Sequence, residues 1–251
     1  MMVNIHPVCR EVSWPADEGV IGVVGVAPWA TLEFCQRLYS LIQVVKDWEY
    51  PRIIADINCK IPSRGRHLQL GERDPSPFIE ASINELAAQG ATVAVVPCNT
   101  AHILFPRWAS KTAIPALNII DATLGELTRS DSCVVTFGSS SLMKSGLYQQ
   151  YPPHHSCRFF LLNKDDQSII DSIITAIKIN NTIPIRLHKD LIRLVNKLVL
   201  QGLTTVILAC TELTQLKQDH IFRGLNIIDS NEALARLALK AINFKKMKLP
   251  E

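Results

Sequence analysis

One short block of sequence occurs twice in this chain, and the repetition narrows the possible folds more than any other feature. Gln89-Gly90-Ala91-Thr92 runs into Val93-Ala94-Val95-Val96-Pro97-Cys98, and Gln201-Gly202-Leu203-Thr204-Thr205 runs into Val206-Ile207-Leu208-Ala209-Cys210. In each copy a helix is predicted to end at glycine and a buried strand to follow. A cysteine stands eight residues after the glycine, and a hydroxyl residue, Thr100 or Thr211, comes soon after. A second matched pair lies downstream, Leu117-Asn118-Ile119-Ile120-Asp121 and Leu225-Asn226-Ile227-Ile228-Asp229. Each is predicted to open a helix, with Asp121 and Asp229 as N-caps. Two matched blocks in the same order imply a duplicated α/β unit with a pseudo-twofold relation. The expected division is 1–115 plus 223–251 for the unit carrying Cys98, and 116–222 for the unit carrying Cys210.

The remaining pattern agrees. Short apolar runs predict strands at Val20–Val26, Ile53–Ile57, Val93–Val96, Val134–Phe137, Phe159–Leu162 and Val206–Leu208. Between them, helical spacing predicts helices at Leu32–Val45, Phe78–Gln89, Ile103–Ser110, Ile169–Ile179 and Leu187–Leu200, with start signals for the second at Asp74, Ser76 and Pro77. Alternation of this kind implies an α/β fold, with parallel sheets flanked by helices. In such sheets ligands gather at the carboxyl ends of the strands, where both cysteines fall.

Composition removes several classes of function. The 251 residues are 47% hydrophobic and 20% charged, with a net charge of +3, which describes a globular protein and leaves no basic surface for nucleic acid. The basic cluster Lys245, Lys246 and Lys248 reads as a solvated end. No apolar run approaches a membrane span, and Met1–Arg10 lacks the pattern of a secretory signal. Seven cysteines at irregular spacing, without a CxxC, argue against a disulfide framework or a structural zinc site and for a reducing cytoplasm. His154, His155 and Cys157 form a loose cluster without ligand spacing, so no metal is expected. No GxGxxG or Walker loop occurs, and no cofactor is expected.

Two thiols facing one ligand from opposite sides suit a stereochemical inversion. A proton must leave one face of a carbon and another must arrive on the opposite face, which two groups perform more readily than one. A free thiol has a pKa of about 8.5, and a helix N-terminus lowers it. Asn99-Thr100-Ala101-His102 and Thr211-Glu212-Leu213 read as the first turns of such helices, offering backbone N–H groups and the side chains of Asn99, Thr100 and Thr211 as donors. Taken singly, either cysteine reads as a small core residue; the repetition pairs them. Cys9, Cys35, Cys59, Cys133 and Cys157 lack that context and read as structural. His102 reads as a packed or capping residue rather than a proton relay. Glu212 could orient the neighbouring thiol or favour the helix start.

Pro97-Cys98-Asn99-Thr100-Ala101-His102 and Ala209-Cys210-Thr211-Glu212-Leu213 together resemble the paired signatures of the aspartate/glutamate racemase family, whose members work without pyridoxal phosphate. The resemblance runs from about Val20 to about Ala241. Gly25–Thr31 looks like the family's glycine-rich first loop, and Asn58–Arg64 like its substrate loop. Gly138-Ser139-Ser140, Ser145-Gly146 and Tyr148 look like the second unit's counterpart loop. The resemblance implies two pseudo-symmetric domains, an active site in the cleft between them, and a homodimer. It implies that Cys98 acts on the D-enantiomer and Cys210 on the L-enantiomer. Arg64 and Lys178 would hold the distal carboxylate, and Val26, Asn99, Thr100, Ser139, Thr211 and Glu212 would line the substrate.

The implied partner is a small acidic amino acid. Aspartate is favoured by Lys178, although glutamate differs by one methylene, worth only about 1–3 kcal/mol of discrimination. A broader racemase, or an inactive ligand-binding protein on the same fold, are the alternatives. Val24 and Ala27 stand where the family has glycine, Val26 where it has methionine, Ser63 where it has aspartate, and Ala209 where it has glycine. These departures bear on substrate preference and loop geometry; both cysteines remain.

Overall fold

The computed structural model describes residues 18–150 and 157–248. Among the described residues, seven strands alternate with ten α-helices. The strands are β1 (Ile21–Gly25), β2 (Ile53–Ile57), β3 (Val93–Val95), β4 (Cys133–Phe137), β5 (Arg158–Phe160), β6 (Thr205–Leu208) and β7 (Asn226–Asp229). The helices are α1 (Pro28–Ser40), α2 (Arg64–Leu70), α3 (Ser76–Ala88), α4 (Phe105–Ala109), α5 (Ile119–Gly125), α6 (Ser140–Ser145), α7 (Leu147–Gln150), α8 (Lys164–Asn180), α9 (Ile185–Leu200) and α10 (Ser230–Ala241). Short 3₁₀ turns, Asn99–Leu104 and Thr211–Leu216 among them, link the rest. No helix among the described residues is long and apolar enough to cross a membrane.

The strands form two parallel sheets, ordered β2-β1-β3 and β5-β4-β6-β7. Strand period 2 sends alternate residues to opposite faces, and the core divides accordingly. Ile21 and Val23 of the first sheet, with Val134, Ile207 and Ile228 of the second, enter one shared core with Phe34 and Leu38 of α1, Ile120 of α5 and Leu234 and Leu239 of α10. The other face of the first sheet packs Val24 and Ala94 against Ile79, Ile83 and Leu86 of α3. The other face of the second packs Val135, Val206 and Leu208 against Ile173 and Ile177 of α8 and Leu194 and Leu198 of α9. Both sheets are therefore covered on both sides, and the shared layer ties the two units together.

Several local expectations shift. Helical spacing predicts the first helix over Leu32–Val45, but it runs Pro28–Ser40. Proline at N1 starts it early; it stops at Ser40 because Ile42 leaves it to bridge Met247 near the C-terminal end, and Val45 lies exposed. The segment expected as one helix over Ile103–Ser110 is a 3₁₀ turn to Leu104 followed by α4, with Pro106 in its first turn. Asp121 does not cap α5; Asn118 does, its Oδ1 accepting from the Ile120 N–H at 2.9 Å. Asp229 does cap α10, accepting from the Asn231 N–H at 3.0 Å. Leu225–Asp229 does lead into a helix, α10, but Asn226–Asp229 also form strand β7, because β6 offers them an edge to pair with. β7, which a division at 223 assigns to the first unit, hydrogen-bonds to β6 within the second sheet.

Candidate active site

The two copies of the repeated block end alike. Both helices α3 and α9 are followed by glycine at positive φ, Gly90 at 101° and Gly202 at 91°, conformations that a side chain would strain. Each strand then delivers its cysteine in extended backbone, Cys98 at φ −157°, ψ 103° and Cys210 at φ −143°, ψ 129°. Each cysteine caps a six-residue 3₁₀ turn, closed by Ala101 N–H to Cys98 O at 3.1 Å and Leu213 N–H to Cys210 O at 2.8 Å. Equivalent sequences thus place equivalent thiols at the carboxyl ends of β3 and β6.

The two thiols line one cavity. Val26, Arg64, Asn99, Thr100, Lys178, Thr211 and Glu212 line it too, together with Ala27, Ala30, Pro97 and Ala209, which sequence reasoning had not nominated. Of the expected site residues only Ser139 stands back: its hydroxyl lies 3.1 Å from Thr100 Oγ1, which does reach the cavity.

The first loop can approach this closely for a steric reason. A Cβ on Gly25 would stand 2.4 Å from Thr31 Oγ1, and one on Gly138 would stand 2.8 Å from Leu142 Cδ2 and 3.3 Å from the Ala209 carbonyl. The glycines that matter to the fold are therefore still present, and Val24 and Ala27 occupy positions where side chains are accommodated.

Glu212 is the electrostatic centre of the Cys210 side. It is 8% exposed, its Oε2 accepts from Cys210 Sγ at 2.9 Å and from Thr211 Oγ1 at 3.1 Å, and its Oε1 lies 3.7 Å from Lys178 Nζ. Glu212 thus accepts the thiol's hydrogen bond and also stands in the first turn of the 3₁₀ segment. Burial raises the pKa of Cys210 well above its ordinary value, and the Glu212 carboxylate raises it further, outweighing the Lys178 ammonium. The expected lowering at a helix N-terminus is therefore overturned for Cys210: a short 3₁₀ turn has a weak dipole, and burial, with an anion 2.9 Å away adding to it, outweighs that dipole. Partial burial disfavours the Lys178 ammonium, but Glu212 and the sulfurs of Cys210 and Cys98 more than compensate, so its pKa is raised.

Arg64 is held by backbone oxygens. Its Nη1 donates to the carbonyls of Ile61 at 3.3 Å and Pro62 at 3.0 Å, and its Nη2 to that of Val26 at 3.2 Å. The guanidinium thereby pins the first loop to the substrate loop at the cavity wall. Asn99 is held at both ends of its amide: Tyr148 OH donates to its Oδ1 at 2.7 Å, and its Nδ2 donates to Ser230 Oγ at 2.9 Å. Ser230 in turn donates to the Leu208 carbonyl at 2.8 Å. This chain of bonds connects the Cys98 turn, α7, α10 and the strand before Cys210, a linkage that no local sequence pattern announces.

His102 is a packing residue. It stacks on Phe105 at 5.4 Å, lies edge-on to Trp108, and approaches the Cys98 carbonyl at 3.0 Å with Nδ1. Burial lowers its pKa to about 4, despite the carbonyls of Cys98 and Leu117, so it is neutral near pH 7. Cys9, His154 and His155 lie outside the described residues.

Comparison with known proteins agrees with the α/β fold. The Asp/Glu/Hydantoin racemase family matches residues 21–238. The broad specificity amino-acid racemase RacX of Bacillus subtilis (strain 168) is 25% identical over 226 residues, covering 86% of this chain and 95% of that one. The aspartate racemase of Picrophilus torridus superposes with a TM-score of 0.77 at 25% identity, over 92% of this chain and 96% of its own. The glutamate racemase of Thermus thermophilus shares the fold, with a TM-score of 0.61 at 18% identity over 94% of this chain and 84% of its own. The protein is an isomerase of the racemase class. Its chain belongs to the Asp/Glu/Hydantoin racemase family.

Proposed function

We propose that the chain interconverts L- and D-aspartate without a cofactor, with Cys98 and Cys210 as the acid/base pair. The reading rests on one observation above the others: two thiols from equivalent strand ends line one cavity together with Arg64 and Lys178. In one direction Cys98, as thiolate, takes the α-proton of D-aspartate. The electron pair left behind spreads into the α-carboxylate as an enediolate, and Cys210, as thiol, gives its proton to the opposite face. The Cys210 S–H, held by Glu212, is already in the form this direction needs. In the other direction that thiol must first lose its proton, and the Glu212 carboxylate 2.9 Å away is the acceptor. Donors aimed at the developing charge supply the stabilisation that a cofactor would otherwise give; Thr100 and Thr211 hydroxyls and the free N–H groups of the two 3₁₀ turns are suited to this. Lys178 carries the charge for the distal carboxylate, and Arg64 shapes the wall beside it.

The substrate assignment draws on Lys178 and on the likeness to the Picrophilus torridus aspartate racemase. In this reading the first unit is 1–115 plus the segment after Asp229, the second is 116–222 extended through β7, and the protein acts as a cytoplasmic homodimer. Incubation with L-aspartate in deuterated water tests the function. The expected result is loss of optical rotation with deuterium appearing at the α-carbon. Unchanged rotation and no deuterium uptake would leave a binding protein on a racemase fold.

A further inference from the structure

The thiol cavity is small, about 40 Å³, and beside it opens a chamber of about 340 Å³. The two share Ala30, Thr211 and Glu212 as a common wall. The chamber is large enough for a ligand of its own, and three helical stripes line it. Trp29, Glu33 and Gln36 sit at i, i+4 and i+7 on α1; Ile177 and Asn181 follow at i, i+4 on α8 and its end; Glu212 and Gln215 come from the turn after Cys210. Such spacings put each set on one face.

The chemistry of this wall is not that of a carboxylate site. No lysine or arginine lines it among the described residues. Lys178 pairs with Glu212, and Arg37 is spread over Glu33 at 4.0 Å, Asp229 at 3.9 Å and Glu232 at 3.8 Å. One guanidinium shared among three carboxylates at such distances leaves Glu33 available. Amide oxygens of Gln36, Asn181 and Gln215 add neutral acceptors. Trp29, half exposed, offers a face for methylene groups or a cation.

We propose that this chamber is a side-chain subsite, and that the enzyme also racemises amino acids with long basic side chains. The inference rests on the two-thiol reading above. An amino acid with its α-carbon between the thiols would pass its side chain over Ala30 along α1. Glu33 lies about 4.5 Å further along the axis, within reach of a four-carbon stem but not of aspartate's single methylene. The stem would lie against Trp29, Leu32 and Ile177, and the ammonium would meet Glu33. The α-proton is removed and returned as for aspartate, so no further reactant is needed.

L-Lysine and L-aspartate, each incubated with the protein in deuterated water and followed by proton NMR and chiral chromatography, test this. Both are expected to gain α-deuterium and invert. Glu33→Gln should lower kcat/KM for lysine at least about tenfold, as expected for one lost charge-assisted hydrogen bond, and leave aspartate within about twofold. Gln36→Lys, on the exposed face of α1, should depress lysine in the same selective way. Aspartate turnover by each variant reports that it has folded. Turnover of aspartate with none of lysine overturns the subsite alone, as does an equal effect of both variants on the two substrates. Turnover of neither amino acid overturns the two-thiol reading and the subsite with it.

Discussion

Replacing Cys210 by serine separates the two halves of the reaction. The serine hydroxyl can keep the hydrogen bond to Glu212 Oε2 that the thiol now makes, so no buried polar group is orphaned and the fold should lose little, about 1 kcal/mol or less. Its much weaker acidity removes the proton donor on that face. Loss of a positioned acid/base group costs about 10²–10⁴ in rate, equivalent to about 2.7–5.5 kcal/mol in the barrier. The two enantiomers of aspartate have equal free energy, so kcat/KM must fall by the same factor from either side. Isotope exchange is under no such symmetry. With Cys98 intact, D-aspartate should still exchange its α-proton for deuterium and retain its configuration, while L-aspartate should exchange far more slowly. Cys98→Ser should reverse that preference. Proton NMR in deuterated water, with each pure enantiomer and chiral analysis of the product, reads both quantities. Racemisation within tenfold of the unaltered protein in either variant, or the same exchange preference in both, would refute the two-base assignment.

Two further outcomes follow from the geometry. Arg64→Lys keeps the charge but loses the planar fork that reaches Ile61, Pro62 and Val26 together; kcat/KM for aspartate should fall about tenfold or more in a steady-state assay, and an unchanged value would mean that these backbone contacts do not shape the site. Burial raises the Asp229 pKa from 3.8 to about 6, against the opposing pull of Asn231, Thr214, Arg37 and Lys217. A raised folded-state pKa means the native protein holds this proton more tightly than the unfolded chain, so the contribution is full below pH 3.8 and is lost as pH rises through 6. The upper bound is about 3 kcal/mol. Urea titrations between pH 4 and pH 7 should show Asp229→Asn flattening that part of the stability profile; an unchanged slope would mean that other groups set it.

Much of the fold was legible because its signals are local. Gly90 and Gly202 end helices through backbone conformations that glycine tolerates, and the apolar runs after them are too short and too β-branched to be anything but buried strands. The repeated order of glycine, strand and cysteine needed no partner elsewhere in the chain to be recognised. From it came the parallel α/β class, the pseudo-twofold relation, and the nomination of Cys98 and Cys210 over five other cysteines. What the sequence could not decide were the terms that depend on distant groups. Leu117–Asp121 and Leu225–Asp229 read alike, yet only the second finds a full strand edge, beside β6, and becomes β7. The direction of the Cys210 shift turned on burial and on where the Glu212 carboxylate comes to rest, and a helix-end argument from sequence pointed the other way. Asn99 is braced by Tyr148 and Ser230, far along the chain, and the chamber beside the thiols exists only where α1, α8 and the Cys210 turn converge. Backbone preference is written residue by residue; electrostatic environment and cavity shape are sums over neighbours that only the folded chain brings together.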